Sequence, residues 1–202
     1  MAVQPRVDRD AGLHRAFLAA SMGGWLKLGA QALSVAAIGV LATVLVWNLT
    51  HLPPPPKVGG PAPAFSLRRL TGDGNLSLRA LRGKAVVLNF FASWCSPCKR
   101  EAPALEKLWR QDRSRGLVVL GVDANDARGD ALTFVHKHHV TYPVVFDHNG
   151  VVAYSRYDIA NLPVTYVLNA KGRIVGGQIL GPVSEHVHSQ ALFRYVHAAL
   201  KS

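Results

Sequence analysis

Apart from Cys95 and Cys98 the 202-residue chain contains no cysteine. A closed structural zinc site needs four ligands, and only the distant His136, His138 and His139 stand ready to complete one. Negative charge is also scarce, with 12 Asp and Glu against 23 Lys and Arg. The basic surplus is dispersed: from Lys57 onward 19 Lys and Arg face 10 Asp and Glu, yet no basic run exceeds two residues. That argues against nucleic acid as a partner and leaves anionic headgroups, an acidic partner or plain solvation as the use of the charge. Between Leu28 and Thr50 charge of either sign is missing altogether.

The uncharged stretch reads as a single transmembrane helix over 28–50. Its Ala, Val, Leu and Ile residues span a hydrocarbon core of ~30 Å at helical rise, and Trp25 and Trp47 suit the two interfaces. A cleavable signal peptide is the rival reading. Its apolar region runs only about 7–15 residues and ends at a small-x-small site, whereas Asn48-Leu49-Thr50-His51-Leu52 leads into four prolines. Residues 1–27 are then a short cytoplasmic N-terminus, and residues 51–63 a Pro/Gly-rich linker that holds the next domain off the lipid. The remaining segment, 64–202, is one domain.

What that domain contains is a pattern with chemistry in it. The apolar run Ala85 to Ala92 ends in Trp94-Cys95-Ser96-Pro97-Cys98, so a buried strand delivers two sulfurs to the start of a helix. Such a dithiol is suited to disulfide exchange. A purely structural disulfide here closes too short a loop to constrain the unfolded chain much. Cys95, at the helix start, gains from unpaired N–H groups and the helix dipole and is the expected thiolate nucleophile; Pro97 suits the first turn because it has no N–H to lose. Cys98, deeper on the helix, is the expected resolving thiol. Glu101 lies three residues further on the same helical face and is either a proton acceptor or a residue that complements the helix and its basic neighbours.

Around this motif the pattern predicts a β-hairpin within 64–84 turning at Thr71 to Asn75, then strand 85–92 and helix 96–114, kinked near Pro103. Strand 117–122, helix 129–139, strands 144–146, 164–168 and 173–179, and helix 184–200 follow. The sum is an α/β domain, a mixed sheet flanked by helices with an N-terminal hairpin extension. His136, His138 and His139 fall on one predicted helix but not on one face, which favours a solvated surface over a metal or haem site.

The stretch Val87 to Pro103, together with Leu162-Pro163-Val164-Thr165-Tyr166, resembles the thioredoxin superfamily, and within it the membrane-anchored TlpA/ResA/CcmG group of bacterial thiol-disulfide oxidoreductases. Asn89 stands where cytoplasmic thioredoxins carry a buried Asp, and Glu101 follows the second cysteine as in the ResA branch. The resemblance implies a thioredoxin-like fold from about Gly59 to the C-terminus and a single-pass protein of the bacterial cell membrane with its domain outside. It also implies catalysis by Cys95, Cys98 and Glu101, with no cofactor beyond the redox-active disulfide and no metal. Pro163 is expected to be cis, turning the Leu162 backbone toward an extended substrate, with Trp94 and Pro97 completing the contact surface; Trp94 otherwise only packs.

The function so implied is reduction of disulfides in target proteins, in this group typically apocytochrome c awaiting haem, with electrons from a membrane thiol-reducing partner of the CcdA/DsbD type. A disulfide-forming oxidase with the same residues is the alternative. A metal or haem carrier using the cysteines as ligands is a third reading, from another class.

Overall fold

The computed structural model describes residues 29–48 and 56–202, which fall into two units divided at Pro53 and Pro54. The expected cytoplasmic N-terminus, Trp25 and the first three linker prolines lie outside the described residues. In the first unit Gly29–Asn48 forms one helix, α1, without a charged residue and exposed along its whole length. Ser34 and Thr43 return their hydroxyls to the carbonyls of Ala30 and Gly39, four residues back, so these two hydroxyls are satisfied within the helix.

The second unit is built on a seven-stranded mixed sheet. Its strands are β1 (Ser66–Arg69), β2 (Asn75–Ser77), β3 (Ala85–Phe91), β4 (Leu117–Ala124), β5 (Val144–Asp147), β6 (Val164–Leu168) and β7 (Ile179–Leu180). Their spatial order is β2-β1-β5-β4-β3-β6-β7. The centre, β3 with β4 and β4 with β5, is parallel; all other pairings are antiparallel. Every residue of β3 and β4 is buried, as expected for parallel strands covered on both faces.

Three helices join in: α2 (Ser96–Asp112), α3 (Arg128–Lys137) and α4 (His186–Leu200). The crossovers β3-α2-β4 and β4-α3-β5 step in one direction across the sheet, and crossovers of one hand then place both helices on the same face. Cys98, Ala102 and Leu105 of α2, Phe134 of α3 and Leu192 of α4 accordingly share one core with Val87 and Phe91. From β5 the chain returns across β3 to β6. This reversal carries Val151–Arg156, a π-helical segment, to the opposite face, where Val152, Ala153 and Tyr157 pack with Phe90 and Leu120.

Most expected elements are present with shifted ends. The hairpin forms, with Leu67 opposite Leu76, and β1 pairs onward with β5, so the hairpin is the edge of the main sheet. The expected 96–114 helix ends at Asp112 and tightens into a 3-10 turn, Arg113–Arg115, closed by Gly116 at φ 89. Pro103 lies inside it, and the helix continues beyond. The π-helical segment was not predicted at all.

The expected strand 173–179 is a correction. Only Ile179–Leu180 is a strand; Arg173 and Ile174 make isolated bridges to Pro61 and Leu168. Gly176 sits at φ 73, a left-handed conformation no strand adopts, and a β-carbon there would come within 2.2 Å of the Tyr195 ring. Gly176→Ala is therefore expected to destabilise the domain by roughly 1–3 kcal/mol, read as a lower denaturant midpoint, because the ring of Tyr195 must shift and the backbone is strained as well.

Candidate functional site

The site forms where β3 ends. Four residues past Phe91, Cys95 takes extended backbone, φ −79 and ψ 106, and caps the N-terminus of α2. Its sulfur accepts the Cys98 N–H at 3.2 Å, Pro97 occupies the first turn, and Cys95 and Cys98 are joined as a disulfide. Both are nearly sealed, 3% and 1% exposed, with Cys98 the deeper as expected.

The approach to Cys95 is held by the loop after β4. Asp126 accepts the Ser93 N–H at 2.6 Å and the Ser93 hydroxyl at 3.0 Å, and its own position is fixed by the Ala127 N–H at 2.8 Å. The Trp94 indole N–H donates to the Asn125 carbonyl at 3.1 Å while 57% of the residue stays exposed. Trp94 is thus a surface group tethered at one point and not part of the core. Asn125, at φ 53, tolerates this turn because Asn is among the few residues at home in left-handed backbone.

Pro163 arrives from the neighbouring strand. β6 runs antiparallel to β3 with Val164 opposite Phe90, so the residue before Val164 stands at the same sheet end as the cysteines. The Leu162–Pro163 bond is cis, as the resemblance implied, Pro163 is buried, and its carbonyl accepts the Gly181 N–H at 3.0 Å. Leu162 is half-buried and packs against the core that holds both cysteines.

Glu101 lies beneath this surface, 1% exposed. Asn89 of β3 donates to one carboxyl oxygen at 2.8 Å and the Val183 N–H donates to the other at 2.9 Å; Asn89 also donates to the Thr165 hydroxyl at 3.0 Å. Burial dominates and raises its pKa to about 7, against the lowering pull of Val183 and Asn89. A carboxyl so placed changes charge near neutral pH.

Sequence reasoning missed a second buried acid. Asp123, at the end of β4, is fully buried and neither carboxyl oxygen has a hydrogen-bond partner. Burial first, then the charges of Asp126 and Asp147, raises its pKa to about 8. Asp126 and Val183 were missed as well, since both reach the site across long sequence separations; the Asp123-Ala124-Asn125-Asp126 run directly after a buried strand was the available signal. Of the three histidines, His138 packs on Phe134 at 4.6 Å, His136 is exposed, and His139 lies past the end of α3 at φ 51.

Raised pKa values have a sign in stability. Between the unfolded value of 4.5 and about 7 the folded chain keeps a proton on Glu101 that the unfolded chain has lost, so stability present at low pH falls as pH rises through this window. Glu101→Gln is expected to flatten that slope, by roughly 1–3 kcal/mol between pH 4.5 and 7.5, in denaturation curves of the oxidised protein.

Comparison with known proteins agrees with this geometry. Residues 58–176 match the model of the AhpC/TSA family. The chain is 36% identical over 146 residues to the thioredoxin-like protein YneN of Bacillus subtilis, covering 67% of this chain and 84% of that one. It is 36% identical over 119 residues to the thiol-disulfide oxidoreductase ResA of Halalkalibacterium halodurans, covering 59% of this chain and 66% of ResA, just under two thirds. The crystal structure of a thiol:disulfide interchange protein of the thioredoxin family from Chlorobium tepidum superposes with a TM-score of 0.57 at 32% identity, over 71% of this chain and 98% of that one. With a cysteine pair at a helix start, a cis-proline beside it and a buried glutamate below, the chain belongs to the AhpC/TSA family, as a thioredoxin-like thiol-disulfide oxidoreductase.

Proposed function

We propose that this chain is a membrane-tethered reductase of protein disulfides outside the cytoplasm, with apocytochrome c as the type of target. The observation that carries the reading is the deeply buried Cys95–Cys98 pair at the start of a helix, with Glu101 three residues beyond Cys98 and itself buried. Residues 1–27 are cytoplasmic in this proposal, 28–50 the anchor, 51–63 the linker and 64–202 the redox domain. The charge-free helix Gly29–Asn48 supports the anchor by length and composition.

The Cys95 thiolate attacks a substrate disulfide, forming a mixed disulfide and releasing one substrate thiolate. Cys98 passes its proton to the Glu101 carboxylate and attacks the Cys95 sulfur. That closes the Cys95–Cys98 disulfide and frees the second substrate sulfur as a thiolate, so two electrons have passed from the dithiol to the substrate. A membrane dithiol partner of the CcdA/DsbD type then restores the reduced pair. Trp94, Pro97, Leu162 and Pro163 form the contact surface, where the Leu162 backbone pairs with an extended segment.

Direction follows from charge. Ser96 and Pro97 put no positive group between the sulfurs, and an ionised Glu101 disfavours a second anion, so the reduced form lacks the stabilisation that makes a strong oxidant. The couple is expected nearer ~−270 mV than ~−120 mV in glutathione or thioredoxin equilibration, and a value at the upper end overturns the reductase reading.

Trapping tests the order of events. The Cys98→Ala variant is expected to accumulate a mixed disulfide at Cys95, and in the otherwise native chain Glu101→Gln is expected to slow resolution about 10-fold or more while the first attack keeps its rate. Rapid-quench gel analysis reads both steps, and an unchanged resolution rate removes Glu101 from the mechanism.

The anchor is read by fractionation. Full-length protein is expected to remain with membranes through a carbonate wash, since a span of this length is held by apolar burial. Recovery of a soluble form beginning near Thr50 instead shows the segment to be a cleaved signal.

A further inference from the structure

Beside the redox turn lies a hollow of about 210 Å³, lined by Ser93, Lys99, Phe134, Lys137 and His138 among others, with Asp130 its one carboxylate. Two of these residues bracket the chemistry: Ser93 precedes Cys95 by two positions and Lys99 follows Cys98 directly. Lys99 and Lys137 are exposed, and among the described residues neither enters an ion pair. Their charge is nevertheless felt. The His138 imidazole is held below its ordinary pKa by burial first, then by Lys137, Lys99 and His139.

The positive ground extends further along α2 and α3. Lys137 and His138 also line a second hollow of about 510 Å³ together with Lys107, His139 and Arg110. Arg110 is neutralised there by Glu106 at 2.6 Å, an acid already engaged by the Thr141 N–H and hydroxyl. Lys107, like Lys99 and Lys137, is left without a carboxylate partner among the described residues.

We propose that the hollow beside the dithiol is the docking site for an acidic segment of the substrate protein, whose Asp or Glu side chains near the target cysteine seat between Lys99 and Lys137. The proposal rests on the exchange activity set out above and names the substrate feature that this face selects. Charge complementarity at the margin of a contact chiefly raises the association rate and sets register, which suits an enzyme that must select one protein thiol among many. An anionic lipid surface offers the same charge, but one seated here would cover the redox turn that the hollow borders. The occupant must instead arrive together with the disulfide.

The test uses the reduced full-length chain in detergent and two peptides with the same disulfide loop, one flanked by Asp and Glu and the other by Asn and Gln. At low salt the acidic peptide is expected to be reduced about 10-fold faster, and the ratio of the two rates is expected to approach one near 1 M salt. In Lys99→Gln/Lys137→Gln the ratio is expected to fall toward one at low salt, and in Lys99→Glu/Lys137→Glu to drop below it. A ratio near one in the native chain, or an unchanged ratio in the Gln variant, overturns the proposal. Reconstitution separates the lipid source: equal preference in zwitterionic and anionic vesicles supports an acidic polypeptide, whereas loss of preference only in anionic vesicles assigns the hollow to lipid and overturns it. If neither peptide is reduced at any salt, the exchange reading falls first and the docking proposal with it.

Discussion

The hydrogen bonds that hold the Glu101 carboxyl tie together most of what matters in this fold. One oxygen is bound by β3 through Asn89, the other by the Val183 N–H ahead of α4, and the acid itself rides on the helix that carries both cysteines. Both oxygens of this carboxyl are met at 1% exposure, and even so burial wins and lifts its pKa to about 7. The same contacts that position α2 on the sheet therefore set the charge state below the dithiol. Asn89 contributes by being neutral: it donates without bringing a second acid into the pocket.

The acids of the β4 end behave differently. Asp126 is fully engaged and holds Ser93 in place, whereas Asp123, still within β4, is buried with neither carboxyl oxygen hydrogen-bonded. Protonation is the cheaper state for such a group, and it spares Asp126 and Asp147 a third negative neighbour. Environment alone thus divides the two acids: Asp126 is committed to the hydrogen bonds that hold Ser93 and Ala127, while burial favours the protonated form of Asp123.

How much of this was readable follows from distance along the chain. The Cys-x-x-Cys pair, its proline and Glu101 all lie within seven residues at the start of one helix, and both the largely apolar strand ahead of it and the helix start are local signals. Pro163 was legible only through resemblance, since a proline carries no local mark of its isomer. Val183 lies 82 positions from Glu101 and Asp126 lies 33 from Ser93, so no window of sequence shows either contact. The strand expected through Arg173 to Ile179 failed at Gly176, where the backbone turns left-handed beside Tyr195. The π-helical segment lacks any amphipathic run long enough to separate it from a loop.

Long-range assembly of the site has a consequence for the life of the chain before it is folded. Until the β4 loop, the cis-proline strand and the Val183 segment have all come together, Cys95 and Cys98 are two ordinary thiols on a flexible chain, with neither a capped helix nor a buried carboxyl to distinguish them. What sets the two sulfurs apart is therefore supplied by the tertiary structure, and a chain that has not assembled it presents them as a plain pair of thiols.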